Sequence, residues 1–523
     1  MSSQTSARTY ATSIEALNSL QSNAAVIDAI RKSGGKGGDV QLKEQVEYME
    51  RMGYSANDLN RLNVLHITGT KGKGSTSAFV SSLLTTIAPN AKVGLYTSPH
   101  MVAVRERIRI NGEPIAENMF AKYFWEVWDR LGENKTTADP DTPERPAYFR
   151  YLTIMAMHVF LQEKVDATIL EVGVGGTYDS TNIVPSPITT GVTALGIDHI
   201  WVLGKTLPEI AHQKGGIYKA GSPALAIQQP EGLDVLESRA KELKASSFTV
   251  IPEHPQLKQI KLGLAGVHQR SNASLALALV QSFLSSSRLP SAFSAAAVHP
   301  SIQASSPTSD RLPSLPTTLV APNPLASSYV TALERARWPG RCQIDTDKED
   351  EKVTWYLDGA HTTESLKCCA EWFDEAALQG SSPATRVLVF NCTSGRSGRS
   401  LLETLLTSFS GSSPSQPIQP FKHVIFCTNT TYSSGTSKGD LTSNAVDSKD
   451  LETLATQREI AEGWIELTSS VPDKAEVHVL GSIQEAVELI RKEAQNGEKD
   501  VQALVTGSLH LVGGVMAVAE VPL

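Results

Sequence analysis

The chain lacks a basic excess. Lys and Arg number 47 against 55 Asp and Glu, leaving a formal charge of −8 over 523 residues. That excludes a globally basic nucleic-acid binder and leaves room only for a local basic pocket facing a polyanionic ligand. Cysteine is scarce as well: the five present (Cys342, Cys368, Cys369, Cys392 and Cys427) are odd in number and lie in the second half. They show neither paired metal-ligand spacing nor a Cys-x-x-Cys redox motif, which points to free thiols in a reducing compartment. No run approaches the roughly 18 consecutive apolar residues of a membrane helix, so a soluble protein is expected. Residues Met1 to Tyr10 have no apolar core for secretion. The expected location is cytoplasmic, and Arg8 with the Ser and Ala residues ahead of the first acid, Glu15, keeps a mitochondrial form open. No internal repeat is found.

What is present is enough apolar sequence, 41% of the chain, to bury two cores of moderate size. Buried-strand runs recur at Val64–Ile67, Val93–Tyr96, Ala167–Leu170 and Gly191–Leu195. Helical patterns at Ser75–Ile87, Met119–Leu131 and Tyr148–Lys164 separate them, the alternation expected of a parallel sheet covered on both faces. Residues 285–328 are rich in Ser, Pro and Ala and read as a surface insertion or linker. Further strands are expected at Val353–Leu357, Val387–Phe390, Val424–Phe426 and Ala503–Val505, with polar loops at Ser408–Pro420 and Thr428–Lys449. The expected fold class is α/β: an N-terminal P-loop-type doubly wound, mostly parallel sheet domain over 1–337 plus a smaller C-terminal α/β domain over 338–523.

The first strand runs directly into Gly69-Thr-Lys-Gly-Lys-Gly-Ser75, and a helix follows. Strand, glycine loop and helix start form an anion site, because backbone N–H groups and the positive end of the helix dipole converge there. Lys73 adds a mobile positive charge and Ser75 a hydroxyl. The usual phosphate loop has Ser or Thr directly after its lysine; Gly74 intervenes here, so the loop is a variant. A plain glycine-rich turn is the competing reading. Phosphate chemistry also calls for a divalent cation, and magnesium takes a few hard oxygen ligands plus water. Glu171 ends one apolar strand ahead of Val-Gly-Val-Gly-Gly176, His199 follows another, and Ser98 follows the strand ending at Tyr96. Ligands of open α/β sheets bind at the carboxyl ends of strands, so the three can converge. Taken singly they also read as a salt-bridged strand end, a satisfied loop histidine and a helix cap before Pro99.

The ordered series Gly69 to Ser75, Ser98-Pro-His100, Arg105-Glu-Arg-Ile-Arg-Ile-Asn-Gly112, Glu171 to Gly176, Asp198-His199, Gln213-Lys-Gly-Gly-Ile217, His268-Gln-Arg-Ser-Asn-Ala273, Trp338-Pro-Gly-Arg341 and Asp358-Gly-Ala-His361 closely resembles the folylpolyglutamate synthases, within the Mur-ligase superfamily. The C-terminal third resembles them mainly at Gly507-Ser-Leu-His510, and Thr70-Lys71 looks like the eukaryotic version. The resemblance implies ATP as co-substrate, with Gly69, Gly72, Lys73, Gly74, Ser75, Asn272, Arg341, Asp358 and His361 holding the nucleotide between two domains. It implies Mg2+ on Ser98, Glu171 and His199, with room for a monovalent cation. Lys214 matches a family lysine whose carbamylation would make it a further metal ligand; an unmodified lysine that neutralises phosphate is the alternative. The family's usual Glu-Lys-Ala-Gly-Ile is Gln213-Lys-Gly-Gly-Ile217 here.

Folate and glutamate are then the small-molecule partners of a monomer with no nucleic acid. Arg105, Arg107 and Arg109 alternate, which on an extended segment places them on one face as a carboxylate clamp. A solvated hairpin offset by Glu106 and Glu113 reads equally well. Arg105 and Arg107, with Ser508 and His510, are the candidate substrate residues; Lys73, Lys214 and Arg341 are the candidate catalytic ones. The implied activity is ATP-dependent addition of L-glutamate to the γ-carboxylate of a folate through an acyl phosphate. Dihydrofolate synthase, a bifunctional enzyme, and a non-catalytic nucleotide-binding protein are the alternatives.

Overall fold

The structure is a computed structural model and describes residues 7–21, 38–135, 140, 142–298, 312–320, 322–378, 384–392, 397–409, 411, 418–434 and 453–522. The chain divides into two compact units. The first comprises Met1–His100, Arg105–Gly263 and His268–Ala336; the second comprises Met101–Val104, Leu264–Val267 and Arg337–Leu523.

In the first unit, eight strands form one sheet: β1 (Val64–Thr68), β2 (Val93–Tyr96), β3 (Ile108–Ile110), β4 (Glu113–Pro114), β5 (Ala167–Glu171), β6 (Thr189–Val192), β7 (Pro223–Ile227) and β8 (Ser247–Ile251). Their order is β4-β3-β2-β5-β1-β6-β7-β8. The six from β2 to β8 run parallel, and β3 and β4 add an antiparallel edge. Strands buried on both faces need continuous apolar or small residues, and every residue of β1, β2, β5 and β6 is buried. The chain leaves β1 toward one edge and β6 toward the other. That topological switch opens a crevice beyond the carboxyl ends of β1 and β6.

The second unit is a six-stranded sheet of β9 (Gln343–Thr346), β10 (Val353–Leu357), β11 (Thr385–Phe390), β12 (His423–Cys427), β13 (Glu476–Leu480) and β14 (Val501–Thr506). The order is β13-β12-β11-β14-β10-β9, parallel except for β9. Apolar clusters cover both faces, one around Phe373, Phe421 and Trp464 and the other around Trp355, Val487 and Val515. Both sheets therefore match the α/β class expected from the apolar runs.

The stretch 285–328 differs from a free linker in its described parts. Phe293 is fully buried and meets the Phe283 ring edge-on at 5.1 Å, and Leu319 and Val320 are buried on a short helix. Apolar residues spaced within the Ser/Pro-rich tract anchor it to the first unit. Residues 299–311 and 321 lie outside the described residues, as do 410, 412–417 and 435–449 of the two polar tracts and 450–452 beyond them.

Candidate active site

The helix Lys73–Ile87 begins at Gly72, whose φ of +89° is left-handed and whose position offers no side-chain cap. A Cβ there would stand 2.2 Å from Asn272 Oδ1, so only glycine fits. No side chain caps the first turn, whose N–H groups face the position where an anion binds at a helix start. The loop is pinned from neighbouring strand tips. Thr70 N and Lys71 N donate to Ala194 O at 2.8 and 3.1 Å, Thr193 Oγ1 donates to Lys71 O at 2.6 Å, and Thr68 Oγ1 donates to Gly175 O at 2.5 Å. This also explains why β6 stops at Val192 rather than running on to Leu195: Thr193 and Ala194 leave the sheet to hold the loop. His199 consequently lies on the loop beyond β6 and not at its tip.

Two ammonium groups meet on one carbonyl. Lys73 Nζ donates to Gly69 O at 2.9 Å, and Lys214 Nζ, from the last turn of the helix Leu207–Gly215, donates to the same oxygen at 2.8 Å. Burial, and next the charge of Lys73, push the Lys214 pKa down to about 7. Two like charges held together at a helix start are relieved by a bound polyanion.

Glu171, the last residue of β5, sits beside Ile67 of β1 in register and is buried, accepting a hydrogen bond from Thr97 Oγ1. Ser98 follows Thr97 and is partly exposed. The His199 imidazole lies 3.8 Å from the Asp198 carboxylate. Burial holds its pKa below the ordinary histidine value, with Lys73 and Lys214 acting in the same direction and Asp198 opposing. An imidazole, a hydroxyl and a buried carboxylate are each donors that a divalent cation accepts.

Gln269 escaped the sequence reading. Its Nε2 donates to Ser75 Oγ at 3.2 Å and its Oε1 accepts from Asn272 Nδ2 at 2.9 Å, which ties the phosphate loop to the helix Gln269–Leu284. Thr97 and Thr193 escaped it too. Each works through a partner far away in sequence, so no local pattern marks them.

In the second unit, Asp358 follows β10 and its carboxylate accepts from Cys342 N at 2.8 Å and Ala360 N at 3.0 Å. Arg341 Nη1 donates to Gly340 O at 3.3 Å, and His361 Nδ1 lies 2.9 Å from Gly359 O. A Cβ on Gly359 would reach Leu509 at 2.2 Å and Arg341 Nη1 at 2.8 Å, so Arg341, the Asp358–His361 turn and Leu509 cluster. Ser508 is buried and caps the helix Leu509–Val518 by accepting from Leu511 N, whereas His510 is exposed.

The expected arginine face is not formed. Val104–Arg107 is a 3-10 turn and only Ile108–Ile110 is extended, so the alternation does not persist through all three residues. Arg109 is buried against Glu106 and donates to Glu106 O and Gly112 O, holding the hairpin itself. Arg105 donates to Ile115 O at 3.3 Å; Arg107 donates to His100 Nδ1 at 2.9 Å and covers the Tyr148 ring.

The family described as dihydrofolate synthetase, C-terminal domain, matches residues 341–518. A folylpolyglutamate synthase of Neurospora crassa is 41% identical, over 98% of this chain and 92% of its own length. Among solved structures, a Mycobacterium tuberculosis folylpolyglutamate synthase complexed with ADP is similar at a TM-score of 0.65 and 20% identity, over 98% of this chain and 99% of that one. A bifunctional folylpolyglutamate synthase/dihydrofolate synthase of Yersinia pestis complexed with AMPPNP and Mn ion gives 0.59 and 20%, over 91% and 93%. With this likeness running from end to end and the phosphate loop assembled as described, the chain belongs to the folylpolyglutamate synthase family.

Proposed function

We propose that the protein joins the amino group of L-glutamate to the γ-carboxylate of a tetrahydrofolate mono- or polyglutamate, at the expense of ATP. The observation that carries this reading is the uncapped helix start at Gly72 with the Lys73 ammonium held beside it on Gly69 O, a site made for a polyphosphate. The γ-phosphoryl group of ATP is transferred to the folate γ-carboxylate. The glutamate amine then attacks the acyl phosphate, an amide forms, and phosphate leaves. The N–H groups of residues 73–75 receive the phosphates, Lys73 offsets the charge that builds on transfer, and Gln269 holds Ser75 in place. Ser98, Glu171 and His199 would hold magnesium, which when bound neutralises phosphate charge.

Lys214, with a pKa of about 7, has a substantial neutral fraction near neutral pH. A neutral amine adds carbon dioxide to give a carbamate, and that chemistry favours the carbamylated form over a fixed cation. Arg341, Asp358, His361 and His510 are assigned to nucleotide and substrate on the motif likeness, and Ser508 to positioning of the helix that carries His510. As part of the same reading the enzyme is a cytoplasmic monomer, with room for a mitochondrial form and for a monovalent cation. Among the described residues no helix is long and apolar enough to cross a membrane.

The match of residues 341–518 to the dihydrofolate synthetase domain favours a second reading, attachment of the first glutamate to dihydropteroate. Purified protein supplied with ATP, magnesium and labelled glutamate separates the two. Extension of tetrahydrofolate without use of dihydropteroate supports the first, and the reverse outcome establishes the second.

A further inference from the structure

At the β12–β13 edge of the second unit, a group of side chains with no part in the ligase reaction has the arrangement of a transition-metal site. Register pairs His423 with Glu476 and Ile425 with His478. Residues two apart on a strand face the same side, so Glu476 and His478 share the face that carries His423. Among the described residues this is the one group of three His, Cys, Asp or Glu side chains whose ligand atoms lie within 4.8 Å of one another.

The separations suit a small ion. His423 Nδ1 is 3.2 Å from His478 Nε2 and 3.5 Å from Glu476 Oε2, and His478 Nε2 is 3.7 Å from Glu476 Oε1. One ligand atom from each of the three residues falls within 4.8 Å of the other two. Ligands about 2.0–2.1 Å from a tetrahedral zinc stand roughly 3.4 Å apart, so the imidazole–imidazole edge already has the required length and a small rotation of the exposed carboxylate sets one oxygen against both rings. The back of His423 fits too. Its Nε2 is buried without a hydrogen-bond partner and lies 3.5 Å from Glu493 Oε2, whose carboxylate is paired with Lys422 at 2.5 Å. A lone pair on Nδ1 directed at a metal puts the proton on Nε2, facing that carboxylate. Metal-bound histidines commonly have such a carboxylate behind them.

We propose that His423, Glu476 and His478 bind one divalent transition ion of the zinc class, with water in the remaining position, tying the edge strand β13 to β12. Two imidazoles and one carboxylate suit a borderline-soft ion and do not suit magnesium, which prefers oxygen. The role is structural. His423 and Glu476 open their strands, whereas Asp358 follows the far end of β10, and β11 and β14 separate β12 from β10 in the sheet.

The test is a Co2+ titration of chelator-treated, full-length protein, read by the visible absorption of a low-coordinate cobalt ion, followed by displacement with Zn2+. One ion per chain should bind, with a rise in the melting temperature of the second unit. His478→Ala and Glu476→Ala should abolish the band, and Glu493→Gln should weaken binding roughly 10- to 100-fold. Glu476 is exposed, so its variant is expected to fold and to keep its magnesium-dependent ligase rate. Absence of a band from the unaltered protein overturns the proposal and leaves an imidazole-to-imidazole hydrogen bond. A band that survives Glu476→Ala and His478→Ala unchanged overturns it as well.

Discussion

Replacing Lys214 by methionine should stabilise the first unit while abolishing ligation. The lysine is 2% exposed, and its pKa falls from 10.5 to about 7 through burial and the nearby Lys73 charge. At 1.36 kcal/mol per pH unit, the penalty for keeping this ammonium in place is at most about 5 kcal/mol. Methionine removes the penalty and forfeits a hydrogen bond to Gly69 O worth about 1 kcal/mol, with further loss if the neighbours repack poorly. A net gain of about 2 kcal/mol or more at pH 6.5 is the working figure. For a unit this large it corresponds to about 3 °C in melting temperature.

The sign follows from linkage. Below pH 7 lysine is protonated in both native and unfolded chains, so the penalty is complete. Between pH 7 and 10.5 only the unfolded chain holds the proton, and stability of the unaltered protein rises by up to about 1.4 kcal/mol per pH unit. The advantage of the variant must therefore shrink from pH 7 to pH 9. Lys219, whose pKa burial lowers to about 8, is common to both proteins and cancels in the difference. Calorimetry in buffer freed of carbon dioxide, following the first unit's transition at pH 6.5, 8 and 9, measures this. A variant less stable at pH 6.5, or an advantage that does not change with pH, refutes the reasoning.

Gly72→Ala should weaken ADP binding more than tenfold in a calorimetric titration, because the φ of +89° is strained for alanine and its methyl would collide with Asn272 Oδ1. Glu171→Gln keeps the shape and an oxygen for Thr97 Oγ1 but removes the charge, so ligase turnover should fall about 100-fold or more, with nucleotide affinity changing less. Ser482→Ala deletes one half of the capping box at the start of the helix Ile483–Asn496 and should cost about 1 kcal/mol in denaturant unfolding of the second unit, leaving KM for ATP unchanged.

Much of the fold is legible in the amino-acid order because its causes are local. Val64–Ile67 and Ala167–Leu170 read as buried strands since parallel strands covered on both faces must be apolar throughout. The glycine loop announces itself because its backbone shape and the helix after it are properties of one short segment. The arginine segment misleads for the complementary reason: period-two spacing has meaning only in an extended chain, and a 3-10 turn at Val104–Arg107 breaks it while Glu106 draws Arg109 inward. Gln269 gives no signal, since its value lies in reaching Ser75, 194 positions away.

By itself, then, the sequence determines which segments are strands and helices, where the phosphate loop lies, and which family the motifs resemble. Tertiary structure alone decides the insertion of β5 between β1 and β2, which sets Glu171 beside the phosphate loop. It alone brings Lys214 onto the same carbonyl as Lys73, and His423 against Glu476 and His478. The difference is one of range. Backbone preferences and apolar periodicity act over a few residues, whereas the charge and hydrogen-bond geometry of a site depend on distances that only the packed chain defines.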